Sequence, residues 1–256
     1  MVDRTNAKRL FAAIICCIGI SGFATHPNAQ SQMTPLRSGW TVGIGAGVGQ
    51  FSGRLNDTLQ VGGVDYSIPR DASNGDWHTH LELFAGYLYF SPTSSLGGGI
   101  EIYGRQGRNA LTFQKNENVD WGPGNSFRIY STTLKNDIGF GVDGLMGFRL
   151  QSNQWIYGLI GWTTERFRYQ QLLADNTPSN QSIQTSFFRG GVAFGGGYAR
   201  TLTNRFRLDA RFRYVSFGPY KTQTAFVGLP VGSNSTITHT QKLDQWSFSL
   251  RLVYVI

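Results

Sequence analysis

The chain has 256 residues, of which 40% are hydrophobic, 14% aromatic and only 15% charged, with a formal net charge of +8. A basic excess usually points to nucleic acid, yet the first residues read as an export signal, and an exported chain seldom meets nucleic acid. Both cysteines, Cys16 and Cys17, fall inside that signal, so the remainder offers neither a disulfide nor a thiol for catalysis.

The signal begins with Arg4, Lys8 and Arg9, continues through an apolar run from Leu10 to Ala24, and ends in small residues. Cleavage is expected after Ala29, with Ala24 as the alternative, leaving a leader at 30–38 and one domain at 39–256. The apolar run is shorter than the ~18–20 residues of a spanning helix. Ile14 and Ile15 precede Cys16 where a lipoprotein signal needs a small residue.

Eight strand-like segments follow: 39–51, 80–90, 96–107, 134–150, 155–169, 187–202, 206–218 and 246–256. Most alternate apolar with polar or glycine residues, the pattern of a strand with two unlike faces. In 155–169 two faces compete, Trp155/Tyr157/Leu159 against Ile156/Ile160/Trp162, and the register stays open. After the odd-numbered segments come long polar stretches at 52–79, 108–129, 170–186 and 219–240. After the second, fourth and sixth come only "SPTSS", "QSNQ" and "TN". All eight prolines lie outside the eight segments, as residues that cannot donate to a ladder should.

An even strand count with alternating short turns and long loops is the layout of an antiparallel eight-stranded transmembrane β-barrel, short turns periplasmic and loops extracellular. A sheet in hydrocarbon must close, so 246–256 is expected to pair with 39–51. Trp246, Phe248, Leu250, Leu252, Tyr254 and Ile256 then face lipid and Arg251 faces the lumen. Two aromatic girdles are expected. One, at the short turns, holds Trp40, Tyr87, Tyr89, Trp155, Tyr157, Tyr198, Phe206 and Tyr254. The other holds Phe51, Phe113, Phe167, Tyr169, Phe188, Phe212, Tyr214 and Trp246. The rival is a soluble lipocalin-type barrel with its apolar face inward. Against it stand the missing disulfides and the glycines crowding the polar face, among them Gly43, Gly45, Gly47, Gly139 and Gly141, which suit a narrow filled interior.

The stretch "GGVAFGGGYARTLTNRFRLDARFRYVSFG" (190–218) resembles the small opacity-protein-like, OmpA-like surface-antigen barrels of Gram-negative bacteria. Leu208, Phe212, Arg213, Tyr214, Phe217 and Gly218 hold that family's places. Arg211 stands where the family usually has glutamate. The stripe from Trp246 to Ile256 is similar to the family's C-terminal assembly signal, with Ile256 replacing the usual phenylalanine. The resemblance implies a Gram-negative outer-membrane location, the barrel-assembly machinery as a partner during biogenesis, and structural, surface-antigen or adhesive duties.

Charged residues on the expected lumen face are Glu82, Glu101, Arg105, Asp143, Arg149, Asp209, Arg211, Arg213 and Arg251. Buried charges persist when partnered, so a paired network plugging the barrel is preferred to an ion path. Arg105, Arg108, Arg128, Arg166, Arg168, Arg189 and Lys242 lie near the loop-side strand ends. They form a candidate ring for lipopolysaccharide phosphates. In the loop 219–240, Tyr220, Phe226, Val227 and Leu229 stand among hydroxyls as a candidate contact surface for a host or cell-surface ligand.

No cofactor, metal or catalytic residue is expected. "GFGVDG" (139–144) has no following helix to offer a pyrophosphate. His78 and His80 lack further ligands for a metal. His239 and Asp244 lack the serine of a lipid A deacylase, since Gln241 occupies its place. A narrow pore is the second reading and a lipid A-modifying enzyme the third.

Overall fold

The computed structural model describes residues 35–61, 64–71, 77–120, 126–175, 181–226 and 235–256. The expected signal at 1–29 and the first part of the leader lie outside them. Nine strands result: β1 (Gly39–Val61), β2 (Val64–Asp71), β3 (Trp77–Phe90), β4 (Leu96–Asp120), β5 (Ser126–Gln151), β6 (Gln154–Asp175), β7 (Gln181–Thr201), β8 (Phe206–Phe226) and β9 (Ser235–Val255). All pairings are antiparallel. From β3 to β9 each strand pairs with the next, and β1 pairs with β2, β3 and β9. The β1–β9 ladder runs from Thr41↔Val255 to Gln60↔Thr236, so the sheet closes into a ring.

The ninth strand has a simple origin. β2 lies opposite Arg54–Val61 and β3 opposite Gly39–Gln50, on the same side of β1. They are two lengths of one stave. The expectation of eight strands missed β2 because its sequence, "VDYSIPRD", carries a proline and no clean alternation.

The long loops also shrink. Strands run through most of 52–79, 108–129, 170–186 and 219–240, with β4 reaching Asp120, β6 Asp175 and β8 Phe226. Backbone pairing continues there although the apolar alternation that revealed the strands has stopped. β7, β8 and β9 have 21 residues each, about 70 Å of chain at the usual rise.

Burial alternates along the strands, as in β3, where Leu81, Leu83 and Tyr87 are exposed and Glu82, Phe84 and Leu88 buried. The open register of β6 resolves: Trp155, Tyr157, Leu159, Glu165, Phe167 and Tyr169 turn inward, while Ile156, Ile160 and Trp162 turn out. This corrects the girdles. Trp155, Tyr157, Phe51, Phe167 and Tyr169 are interior residues, because the inside of the ring is layered rather than uniformly polar. Near the short turns, Leu88, Phe90, Leu145, Trp155 and Leu159 form an apolar cluster joined by Leu36 of the leader, whose N–H donates to Ser152 O at 2.7 Å. Toward the other end Phe51, Leu55, Leu111, Leu134, Phe167, Phe217 and Leu243 form a second.

The interior is tight enough that some positions exclude a side chain. A Cβ on Gly141 would lie 2.2 Å from Tyr103 Oη and 2.5 Å from Trp162 O, whereas on Gly144 its nearest neighbour would be 3.6 Å away. Gly141→Val is therefore expected to lower stability by about 1–3 kcal/mol in urea unfolding followed by tryptophan fluorescence. Gly144→Ala should stay close to the parent. Equal midpoints for the two variants would contradict this packing.

Candidate functional site: the charged interior

Between the two apolar clusters lies a band of ion pairs. Arg251, on β9, is 1% exposed. It donates to Asp209 Oδ2 at 2.9 Å and Glu101 Oε1 at 2.6 Å, and its Nε lies 2.8 Å from Glu82 Oε1. Its guanidinium also covers the Phe84 ring at 3.4 Å. Arg211, on β8, donates to Glu101 Oε1 at 2.8 Å, Asp143 Oδ2 at 3.3 Å and Tyr157 Oη at 3.0 Å. Tyr157 in turn donates to Asp209 Oδ1 at 2.6 Å. Arg213 pairs with Asp143 and lies over the Tyr103 ring at 4.0 Å. Arg105 pairs with Glu165 and donates to Gln245, and Asn136 donates to the same Glu165. Two sets of charge-assisted contacts thus cross the inside of the ring: one around Arg251, Arg211 and Arg213 joins β3, β4, β5, β6, β8 and β9, and a second around Arg105 and Glu165 joins β4, β5, β6 and β9.

The strands set these positions by register. Glu82↔Arg105, Glu101↔Asp143 and Asp209↔Arg251 are ladder partners, so their side chains share the inner face. Glycines make the room: a Cβ on Gly45 would meet Glu82 Oε1 at 2.7 Å and Arg251 Cγ at 2.8 Å.

Eight of the nine residues expected in a lumen network are buried here. The ninth, Arg149, is elsewhere. It donates to Ser91 O at 2.6 Å and to Ser94 O, tying β5 to the short turn at 91–95. Glu165, Asn136, Gln245, Tyr103 and Tyr157 belong to the network and were missed. Glu165 was hidden by the ambiguous register of β6, and Tyr157 had been given to a girdle.

Two of the seven basic residues expected to face lipopolysaccharide turn inward. Arg105 points inward, as described. Arg189 also points inward and donates to Phe217 O at 3.0 Å and Gln241 O at 3.2 Å. Arg166 and Arg168 are partly exposed and share Asp137. Lys242 is exposed, and the side chains of Arg108 and Arg128 lie outside the described residues. The reason is parity: proximity to a strand end says nothing about the face, which alternates.

Tyr220 stacks on Phe187 with centroids 4.6 Å apart and lies under Arg189, packing onto the wall rather than standing free. The backbone of Phe226 ends β8, while its side chain, Val227 and Leu229 lie outside the described residues. His78 and His80 are buried at the start of β3, beside a cavity of about 10 Å³ shared with Arg105, Asn136 and Gln245. No group of three or more potential metal ligands occurs among the described residues. His239 faces inward, with Nδ1 3.3 Å from Tyr169 Oη, whereas Asp244 accepts from Ser216 Oγ at 2.8 Å. His239 and Asp244 are five residues apart on one strand and take opposite faces, so they assemble no triad. "GFGVDG" lies wholly within β5.

The profile of the outer membrane protein beta-barrel domain matches residues 15–254. The chain belongs to that family. No curated protein sequence matches this outer-membrane β-barrel chain. Among solved structures it is similar to the outer membrane protein OprG of Pseudomonas aeruginosa, at 14% identity and TM-score 0.49, covering 88% of this chain and 99% of that one. It is also similar to the Escherichia coli outer membrane protease OmpT, at 8% identity and TM-score 0.48, covering 86% and 99%. A third is Ail, the attachment invasion locus protein of Yersinia pestis, in complex with the heparin analogue sucrose octasulfate. There identity is 14% and TM-score 0.30, covering 82% and 99%.

Arg251 is the hub of the barrel's interior, and truncating it leaves three carboxylates without their shared cation. Arg251→Ala is expected to cost about 3–5 kcal/mol in denaturant unfolding. Arg251→Lys should recover part of that, because one ammonium cannot reproduce a fork. A near-neutral Arg251→Ala would show that the network does not hold the staves together.

Proposed function

We propose that the protein is a closed outer-membrane barrel with a structural, surface-exposed role, its lumen plugged and its binding carried by the tips of the long hairpins. The observation that carries this reading is the layered interior: apolar cluster, paired charges, apolar cluster. The outside supports the membrane setting. Leu81 is 67% exposed, Leu83 66%, Ile102 63% and Met146 75%, an apolar belt that water would not favour over the interior of a bilayer. Trp40 and Tyr87 contact each other edge-on at 5.4 Å at the short-turn end, and Trp77 and Trp246 at 4.6 Å farther along. These pairs suit the two interfaces, with the long hairpins outside the cell.

In this reading residues 1–29 are removed on export. The stripe Trp246, Phe248, Leu250, Leu252, Tyr254 and Ile256 serves the assembly machinery, and exposed basic residues meet lipopolysaccharide. Because Tyr220 is packed against the wall, the proposed contact residues narrow to Phe226, Val227 and Leu229 of the 219–240 segment. A lipid A-modifying activity would need an assembled nucleophile and base, and Asp244 takes the face of β9 opposite to His239.

The test has two parts on the same preparation. Purified protein in planar bilayers should give no steady conductance. Deleting 227–234 should leave a barrel that still changes mobility on boiling but no longer attaches to cells or matrix. A reproducible open channel altered by Arg211→Ala, with attachment untouched by the deletion, would replace this reading with a narrow pore.

A further inference from the structure

The outer wall at β5 and β6 carries a charge arrangement that its own residues do not neutralise. Lys135 and Arg168 are direct ladder partners, both exposed, and like charges opposite one another are unfavourable. Arg166 lies two residues before Arg168 on the same face. A β-bulge between Asn136 and Gly139 brings Asp137 to them: its Oδ2 is 2.5 Å from Arg168 Nε and 3.7 Å from Arg166 Nη2. The side chains of Arg168, Arg166 and Asp137 are 44%, 38% and 27% exposed. One carboxylate thus holds two guanidiniums in place beside a third cation, and two positive charges remain over.

The residue after Asp137 begins a second feature. Ile138 and Phe140 form one side of an apolar hollow of about 720 Å³, a size typical of small-molecule sites. Leu81, Leu83, Ile44 and Leu252 line it farther round the wall. Gly104, the ladder partner of Phe140, leaves the hollow open where a side chain would stand. Exposed Trp162 and Phe188 lie on the neighbouring strands, with Phe188 opposite Arg166. Cations held above an aromatic and apolar concavity match a molecule with anionic phosphates at one end and hydrocarbon at the other. Arginine forks favour phosphate through paired charge-assisted bonds.

We infer that Lys135, Arg166 and Arg168, fixed by Asp137, seat one phosphorylated glycolipid of the lipid A type, its phosphate on the cations and an acyl chain in the hollow below. This rests on the orientation proposed above, which puts the cluster at the outer leaflet. It also makes lipid contact one-sided: Lys242 and Arg54, ladder partners on β9 and β1, have no part in the seat.

Native mass spectrometry on the refolded full chain in detergent tests this directly, with lipid A and dephosphorylated lipid A as probes. Arg166→Gln/Arg168→Gln should weaken retention of lipid A about tenfold or more, and rising salt should weaken it for the parent chain. Gly104→Leu should weaken both probes, by filling the hollow. Arg54→Gln/Lys242→Gln should change nothing. Undiminished lipid A binding by the double arginine variant, or equal parental affinity for both probes, would overturn the seat. Mobility on boiling is read for every protein. A parent that fails to shift would sink the barrel reading itself, whereas a shifting parent without lipid selectivity sinks only this inference.

Discussion

Everything in this molecule depends on the ladder between β1 and β9. A sheet left open would present two rows of unpaired N–H and C=O groups, each costing several kcal/mol in hydrocarbon. The ladder removes both edges at once, from Thr41↔Val255 outward. It also fixes the face of every residue, because a slip of one position would exchange inside for outside. With the observed pairing Leu250 and Leu252 are exposed and Arg251 lies 1% exposed among three carboxylates. One step of slip would place a guanidinium in the apolar belt.

Closure creates the second constraint, a narrow interior that must be filled. Large side chains from one stave occupy the space left by glycine on another, as Phe84 does over Gly43 and His80 over Gly47. Charges are tolerated inside because each bridges several staves. Glu101 takes bonds from Arg211 and Arg251, and Asp143 from Arg211 and Arg213. Such a network specifies register as well as adding bonds, since displacing one strand would unpair several partners together.

The sequence showed clearly what two-period patterns can show. The alternation of Glu82, Glu101, Asp209, Arg211, Arg213 and Arg251 with apolar neighbours places them together inside. The short turns gave the stave boundaries at one end, whereas Pro69 and Pro219, expected in connections, fall inside β2 and β8. Three things were illegible. Beyond the apolar belt both faces are polar, so the outer halves of β4 to β9 read as loops although their backbones stay paired. In β6 both faces are apolar, so neither Trp155 nor Glu165 could be assigned. The bulges at Asn136/Gly139 and Ser216/Pro219 shift parity, and nothing in the local pattern announces them. Arg105 and Arg189 were misplaced for a related reason: height along the strand does not fix the face, and both turn inward.

The account's central claim is the face assignment along β9, and single-cysteine scanning reads it without touching the network. Apart from Cys16 and Cys17 the chain has no cysteine, so an environment-sensitive fluorophore can be placed at each position from 246 to 254 except Arg251 in protein reconstituted with brominated lipids. Quenching should be strong at 248, 250 and 252 and weak at 247, 249 and 253. Uniform quenching, or the opposite alternation, would contradict the closed ring with its charges inside.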